Sequence, residues 1–436
     1  MGSRFGVAVL LPAVFFVLSS SALQAETTSN KASKTSQKKV DLSGDQFQSI
    51  NQASSPNSEA SGDNMRQWFD RIDLSGFVNA GWVKTGADGA ELNGHFYAGE
   101  RLFGANLFID AKIADDILAH NELYFYNQEV DLKELYVEFK DFLKTDGLFS
   151  LKVGRIDIPY GDEYLWQNAI DNPMVLRTAE WPWGFSQGIE VFGRSGSVGW
   201  IASVMDGFAW GVGEDGHPFD HDDSPFKAFN GKLNLDPTDW FHLSASAMEN
   251  GTHSSSALIL DGVNITPVGT IIDAGGPATV TSTLGISPSS AVDFQAYQFD
   301  ARLKLGNLVQ LQGDYGTVNI IDVAPFGRSL RYYYGEAKVN ITSQFYVVGR
   351  YSAIGTFDST KGYMFGGDYD GATSFGFDVK SFSRLGGALG YKITDNTILK
   401  VEVDNDTVQL IDAAVAAGIV PGNDRYTLAS EVDVKF

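Results

Sequence analysis

The strict alternation of apolar and polar residues at the C-terminus constrains the fold more than any other feature. Counting back from the end, Phe436, Val434, Val432, Leu428 and Tyr426 fall on one face of an extended strand, and the residues between them are mostly polar. The segment has the length, about 9–11 residues, that a tilted strand needs to cross a hydrocarbon layer. A strand of a soluble sandwich would alternate in the same way, so recurrence along the chain decides between the two.

The same pattern recurs in sixteen segments from Ile72 onward, and short and long connections alternate between them. Short connections such as Asp115-Asp116, Lys144-Thr-Asp-Gly147 and Gly306-Asn307 are rich in turn-forming residues. Long connections such as 86–98, 156–185 and 250–292 all fall at the opposite strand ends. The sequence therefore predicts an all-β fold: a transmembrane antiparallel β-barrel of 16 strands over residues 72–436, with short periplasmic turns and long external loops.

Aromatic residues provide a second test of this prediction. If the apolar face meets lipid, aromatic side chains should collect at both water–lipid interfaces. The apolar positions at the turn ends include Phe139, Phe241, Phe345, Tyr391 and Phe436. Those at the loop ends include Phe103, Tyr297, Tyr333, Tyr351 and Tyr426. Two aromatic girdles are therefore predicted.

The first 71 residues differ in composition from the rest. Arg4, an apolar stretch over 5–18 and small residues up to Ala25 follow the order of a secretory signal peptide, predicted to span residues 1–25, with cleavage after Ala22 as the alternative. Residues 26–71 are rich in Ser, Thr, Asn, Gln and Lys and poor in apolar residues. Such a composition cannot bury enough surface to offset chain entropy, so a disordered periplasmic linker is predicted there.

Charge and cysteine content exclude several classes of function. The chain has no cysteine, which excludes disulfides and thiolate metal sites. Residues 72–436 contain 25 basic and 48 acidic residues, which argues against nucleic acid as a partner. The acidic balance instead favours solubility, or an aqueous lumen, over an apolar interior. Sixteen strands close into a barrel wide enough for such a channel, so passive diffusion of small hydrophilic solutes or ions is the expected function.

Four basic residues fall on the lipid-facing positions, all at the loop ends of their strands: Arg101, Arg155, Lys227 and Arg331. A charge at mid-depth would cost roughly 2–4 kcal/mol and far less at the interface. These residues are candidates for contacting the phosphates of lipopolysaccharide, a lipid partner at the external rim. The alternative is that they only extend their charges into water.

The third external loop, residues 156–185, carries too many apolar side chains to remain in water, among them Leu165, Trp166 and Val175. Its nearest packing surface is the inner wall, so the loop is predicted to fold into the lumen and narrow it. The loop supplies the candidate constriction residues Asp157, Asp162, Glu163, Asp171, Arg177 and Glu180, and the facing wall supplies Arg302, Lys338, Arg350 and Arg384. Opposed acids and bases would create a transverse field that sorts solutes by charge. The alternative is a solvated external acidic face.

The stretch Leu151-Lys-Val-Gly-Arg-Ile-Asp-Ile-Pro-Tyr-Gly161 resembles the Val-Gly-Gln-x-x-x-Pro-Phe-Gly signature of the phosphate-selective porin O/P family, and Ile72-Asp-Leu-Ser-Gly-Phe-Val and Phe436 are also similar. The resemblance implies a 16-stranded homotrimeric channel in the outer membrane of a Gram-negative bacterium. That family's anion preference depends on arginines and lysines along the pore. This chain instead has Asp157, and its fourth external loop, 206–225, has six acids and no Lys or Arg. We therefore expect weak cation preference or none, with anion or phosphate selectivity as the alternative.

Other chemistry receives less support from the sequence. His217, Asp220 and His221 lie close together in an external loop and form a weak candidate metal site, since acidic residues are routine there. No cofactor is expected. A barrel hydrolase would need a nucleophile in contact with a base, and His242 and Ser244 share one strand face, but that pair is predicted to lie inside the channel near its periplasmic end. An adhesin would need external loops that dominate the mass. Both remain alternatives of another class.

Replacing all four rim residues, Arg101, Arg155, Lys227 and Arg331, by alanine tests the lipopolysaccharide interpretation. If their cations bind lipid phosphates, the purified variant should retain less lipopolysaccharide than the parent protein. Retention is measured on both proteins after identical extraction. Unchanged retention would contradict the interpretation of these four residues as lipopolysaccharide contacts.

Overall fold

The computed structural model describes residues 71–87, 93–95, 103–126, 129–166, 168–178, 185–206, 228–253, 292–321, 328–357, 379–416 and 425–436. The predicted signal peptide (1–25) and nearly all of the predicted linker (26–71) lie outside these residues and stay predictions. Arg71 is described, and its carbonyl accepts a hydrogen bond of 2.8 Å from the Lys112 backbone. Sheet pairing thus begins one residue before the predicted barrel boundary.

In the part of the chain that the structure describes, seventeen strands form one antiparallel sheet, and sixteen of them are long. The strands are β1 (Ile72–Ala87), β2 (Asn93–His95), β3 (Phe103–Ala114), β4 (Ile117–Tyr126), β5 (Glu129–Phe139), β6 (Ser150–Asp157), β7 (Phe185–Ser195), β8 (Val198–Met205), β9 (Ala228–Thr238), β10 (Phe241–His253), β11 (Val292–Leu305), β12 (Val309–Ile321), β13 (Arg328–Asn340), β14 (Phe345–Thr356), β15 (Val379–Thr394), β16 (Thr397–Leu410) and β17 (Arg425–Lys435). A single-turn 3₁₀ helix (Glu163–Trp166) and a short helix α1 (Asp412–Ala416) complete the described elements. Among the described residues, no helix is both long enough and apolar enough to span a bilayer.

The sheet closes on itself because β1 pairs with strands on both sides. On one side it pairs with β17, from Phe77 opposite Lys435 to Ala87 opposite Arg425, and on the other with β3. Backbone hydrogen bonds of 3.1 and 3.0 Å between Gly76 and Phe436 extend the seam with β17. The predicted closed barrel of sixteen long strands is therefore confirmed. The three-residue β2, predicted as loop, pairs with residues 83–85 of β1.

The two faces of strands such as β13 and β16 have the predicted polarity. In β13, Tyr333 points outward and is exposed, whereas its neighbours Tyr332 and Tyr334 point inward and are buried. In β16, Val403 is exposed and Glu402 is buried. Phe299, 65% exposed on the outer face of β11, illustrates how apolar that surface is. Such a surface is unfavourable in water by about 25 cal/mol per Å² and suits contact with hydrocarbon.

Aromatic side chains cluster at both ends of the outer face. At the turn end, the rings of Phe345 and Tyr391 lie 4.6 Å apart between centroids. At the loop end, the rings of Tyr333 and Tyr351 lie 6.1 Å apart. Both pairs join residues of the two girdles predicted from the sequence.

The connection between β5 and β6 differs from its prediction. A four-residue turn was expected at 144–147, but the structure has ten residues, 140–149, between the two strands. Asp141 organises this connection, because its Oδ1 accepts hydrogen bonds from the backbone nitrogen of Thr145 (2.6 Å) and from its hydroxyl (3.1 Å). Lys144 forms an ion pair of 2.7 Å with Asp116 of the neighbouring turn. The Asp141 side chain thus provides a hydrogen-bond partner for a backbone group that no longer pairs within the sheet.

Gly193 of β7 allows this connection to pack against the barrel. A Cβ built on Gly193 would lie 1.7 Å from the carbonyl oxygen of Leu148, which is too close for any side chain. The Arg194 backbone nitrogen donates to the Gly147 carbonyl (3.2 Å) next to this contact. The 140–149 connection therefore depends on a glycine in the adjacent strand.

Replacing Gly193 by alanine should destabilise the protein by about 1–3 kcal/mol, because the new methyl group must displace backbone atoms. The matched control is Gly231→Ala, since a Cβ at Gly231 of β9 meets open space. The free energy of unfolding in urea, measured in detergent micelles, compares the two variants. Equal stabilities would show that the close approach of Leu148 is not limiting.

Candidate functional site

The third external connection lies along the inner wall of the barrel. Its described part, residues 158–166 and 168–178, is named the inner loop here. Most of its residues are buried, and it contacts inward-facing side chains of β9 to β17 and of β1. The strand β6 extends further than predicted, to Asp157, which pairs with Phe185 of β7. Asp157 is therefore a strand residue and not part of the loop.

The beginning of the inner loop is fixed by hydroxyl groups. The hydroxyls of Tyr160 and Tyr332 lie 2.8 Å apart, and Tyr332 donates to the side-chain oxygen of Gln298 (2.8 Å). The Gly161 backbone nitrogen donates to the Ser246 hydroxyl (3.0 Å). Gly161 has a φ of 65°, and a Cβ there would lie 2.5 Å from Gln298, so this position requires glycine.

Asp162 anchors the loop by charge. Its carboxylate lies 2.6 Å from the ammonium of Lys232, accepts a 3.1 Å hydrogen bond from the Ser244 hydroxyl and lies 2.9 Å from His242 Nε2. Its backbone nitrogen donates to Asp300 (3.1 Å). Burial opposes ionisation of Asp162, but the charges and hydrogen bonds of Lys232 and His242 outweigh it and lower the pKa of that carboxyl. The carboxylate is thus held charged against the wall.

The end of the inner loop is held through its backbone by β14 and β16. Glu402 accepts hydrogen bonds from the backbone nitrogens of Val175 and Leu176, the latter at 3.0 Å. Arg350 donates to the Leu176 carbonyl (2.9 Å) and to the side-chain oxygen of Asn172 (2.8 Å). Arg350 is itself paired with Glu336 at 2.8 Å. One acid and one base of the wall therefore bind the donors and acceptors of the same loop segment.

Two further bases hold loop carbonyls in the same manner. Arg384 donates to the Arg177 carbonyl (3.1 Å) while pairing with Asp406 (2.7 Å). Lys400 donates to the Ala169 carbonyl while pairing with Asp433 (2.6 Å). Each base is neutralised by a carboxylate on the next strand, as buried charges require.

Apolar contacts explain why the loop leaves water. Val175 and Leu176 pack with Val83 and Ala429 across the β1–β17 seam. Met174 packs against a second group on the wall, formed by Tyr346, Val348 and Ala388. Of the apolar side chains that predicted the inward fold, Val175 is thus buried against the inner wall, whereas Leu165 and Trp166 are half-buried.

The predicted constriction residues occupy different environments. Asp162 and Arg177 are buried, Glu163 is half-buried and accepts from the Thr178 hydroxyl (2.5 Å), and Asp171 is exposed. Glu180 lies outside the described residues. Their effect on passing solutes stays a prediction.

The predicted wall residues divide into two groups. Arg350 and Arg384 bind the loop as described, whereas Arg302 and Lys338 are half-buried on the inward faces of β11 and β13. The Lys338 ammonium lies 4.3 Å from the centroid of the Tyr346 ring. The sequence reasoning missed Lys232, Lys400 and Glu402, although their inward strand positions would have revealed them.

The rim residues and the weaker candidates are placed as follows. Arg331 is exposed and lies 5.4 Å from the Phe357 ring centroid, whereas Arg155 is half-buried and donates to the Lys133 carbonyl (3.0 Å). Arg155 is therefore committed to the backbone, which weakens its interpretation as a lipid contact. Outside the described residues lie Arg101, Lys227, His217, Asp220 and His221.

The His242 and Ser244 pair does not have the geometry of a nucleophile and its base. The Ser244 hydroxyl donates to the carboxylates of Asp162 (3.1 Å) and Asp300 (2.9 Å). His242 lies between Asp162 (2.9 Å) and Asp236 (2.6 Å). Both side chains therefore belong to the network of hydrogen bonds and ion pairs that anchors the inner loop through Asp162.

Comparison with known proteins identifies the fold. No family model matches the chain, and no curated protein sequence matches it. Among solved structures, it is similar to OprB of Pseudomonas putida (TM-score 0.53, 8% identity), covering 85% of this chain and 96% of that one. It is also similar to the outer-membrane channel DcaP of Acinetobacter baumannii (TM-score 0.52, 11% identity, 84% and 97%) and to an anion-selective porin from Comamonas acidovorans (TM-score 0.52, 12% identity, 84% and 99%). The chain has the barrel fold of outer-membrane porins.

Replacing Lys232 by methionine should destabilise the folded protein by about 3–5 kcal/mol, because it leaves the Asp162 carboxylate buried without its ammonium. Adding Asp162→Asn should recover part of that loss, since the uncompensated charge is then removed. Urea unfolding of the two single variants and the double variant measures the coupling, with Lys392→Met, at an exposed turn-end position, as the control. Strictly additive effects would contradict the ionic anchor.

Proposed function

We propose that this protein is an outer-membrane channel through which small hydrophilic solutes and ions diffuse passively. The observation that carries the proposal is a closed barrel of sixteen long strands with an apolar outer face and a polar inner face. A barrel of this strand number encloses a water-filled lumen, whereas about eight strands would be filled by side chains. In this proposal, the inner loop narrows the lumen but does not close it.

The similar structures support a channel. DcaP is described as an outer-membrane channel and the Comamonas acidovorans protein as an anion-selective porin. The barrel similarity covers nearly the full length of both proteins. We extend to this chain the channel activity and the location in the outer membrane of a Gram-negative bacterium.

For selectivity, we propose a weak preference for cations or little preference. The inward faces of β16 and β17 carry five carboxylates near the ammonium of Lys400: Glu402, Asp404, Asp406, Glu431 and Asp433. Bases of the wall such as Arg350 and Arg384 are neutralised by Glu336 and Asp406. An acidic lumen concentrates cations and raises their entry rate.

Anion or phosphate selectivity is the second candidate, supported by the motif resemblance around Pro159-Tyr160-Gly161. In this structure that segment anchors the inner loop through Tyr160 and Gly161. The same resemblance supports a homotrimer. Hydrolase and adhesin functions differ from both, since neither requires conduction, so single-channel recording separates the classes.

The reversal potential across a planar bilayer in a tenfold KCl gradient should have the sign for potassium and a magnitude well below the ~59 mV of perfect selectivity. Replacing Glu163 and Asp171 by Gln and Asn should move it toward zero, because these carboxylates of the inner loop are not fully buried. The control is Asp115→Asn in the β3–β4 turn, a fully exposed carboxylate.

Three outcomes of this experiment are distinct. A reversal potential of the opposite sign would support the anion-selective alternative and overturn the cation preference. No conductance at all would remove the channel proposal. An unchanged potential in the double variant would take Glu163 and Asp171 out of the constriction.

A further inference from the structure

A cluster of potential metal ligands lies on the inner wall, separate from the anchors of the inner loop at β9–β17. His120 and Glu122 belong to β4 and Glu134 to β5, and these residues are 8%, 4% and 9% exposed. One ligand atom from each residue can be chosen so that all three lie within 4.8 Å of one another. The pairing of β4 with β5 sets Glu122 directly opposite Glu134.

The imidazole of His120 is oriented as in many metal sites. Its Nδ1 lies 2.7 Å from the Asp110 carboxylate on β3, and its ring stacks on Tyr136 with centroids 4.8 Å apart. A carboxylate on one ring nitrogen fixes the ring and directs the other nitrogen to a metal. That other nitrogen, Nε2, is buried, has no hydrogen-bond partner and faces Glu134 Oε2 at 3.6 Å.

The two carboxylates are each held through one oxygen. Asn106 donates to Oε1 of Glu122, and the Asp157 backbone nitrogen donates to Oε1 of Glu134 (3.1 Å). Each glutamate therefore keeps its second oxygen for another ligand. A pre-oriented imidazole and two such carboxylates converge on one point of the wall.

We propose that His120, Glu122 and Glu134 bind a zinc ion, with Asp110 as the residue that positions His120. One imidazole nitrogen and two carboxylate oxygens form a donor set that suits zinc, and water from the lumen would complete the tetrahedral coordination. Zinc–ligand distances of about 2.0–2.2 Å require the ligand atoms to draw closer together than the 4.8 Å within which they lie here.

The competing explanation for this cluster is that it binds no zinc, and this explanation depends on Lys133. It is the extra residue of a bulge in β5, which turns its side chain inward, and its ammonium lies 4.0 Å from Glu122 and 4.3 Å from the Tyr124 ring centroid. In that case Lys133 and His120 alone neutralise the two glutamates. Zinc binding then would not depend on this cluster.

A bound zinc ion would act on the channel in two ways. It would add positive charge to an acidic lumen, which lowers the local concentration of cations. It would also fix Glu134, whose carboxylate holds the backbone of Asp157 at the point where the inner loop begins. Zinc at this site is therefore expected to reduce cation conductance.

Equilibrium dialysis of the full-length detergent-purified protein against zinc chloride, after chelator treatment, measures binding directly. The parent protein should bind one zinc ion per chain through this cluster, and Glu122→Gln with Glu134→Gln should abolish that binding. Asp110→Asn should weaken it about 10- to 100-fold, as expected when an orienting partner is lost. The matched control is Glu138→Gln, which removes a buried inward carboxylate from the same strand.

Zinc binding that is equal in the parent and in both cluster variants would overturn the proposal, as would a parent protein that binds none. Cooperative unfolding of each variant shows that it folds. If the double variant does not fold, Asp110→Asn still tests the site, because it keeps all three ligands. The binding measurement does not require conduction. A protein that binds zinc but conducts no ions would contradict the proposed channel and leave this site intact.

Discussion

The constraint on which the whole structure depends is that backbone polar groups facing hydrocarbon have no water to bond. A spanning sheet must therefore pair every strand on both sides, and an open edge is not tolerated. The pairing of β1 with both β3 and β17 meets this requirement. Closure fixes which strand face meets lipid, and the two-residue period of the strands then assigns each side chain to the lumen or to the membrane.

The polar face has a second use that follows from closure. Charged groups such as Lys232, Arg350 and Glu402 point inward because of strand parity, and they meet a loop whose backbone and side chains offer complementary partners. Many of the inward-facing charged side chains therefore hold the inner loop in place. The net field that a passing ion experiences depends on the balance of all the inward-facing charges, and the carboxylates of β16 and β17 are a dense acidic group among them.

The strands could be predicted from the sequence because the alternation of apolar and polar residues repeats sixteen times. A strand whose own pattern is ambiguous is placed by the strands before and after it. The 140–149 connection could not, because its shape depends on Asp141 bonding Thr145 and on Leu148 meeting Gly193 of a different strand. For the inner loop, the apolar content predicted its inward fold, but the pairing of Asp162 with Lys232 joins residues 70 positions apart. Such pairs depend on strand tilt and stagger, which alternation alone does not give.

The inner loop has a consequence for assembly. It belongs to the first half of the chain, between β6 and β7, yet Glu402 and Lys400 of β16 bind its backbone across 226 to 231 residues of sequence. Contacts of such long separation form late, since the intervening chain must be ordered first. The loop therefore acquires its final position only when the C-terminal strands have joined the wall, so a barrel still under construction would have a wider passage than the finished one.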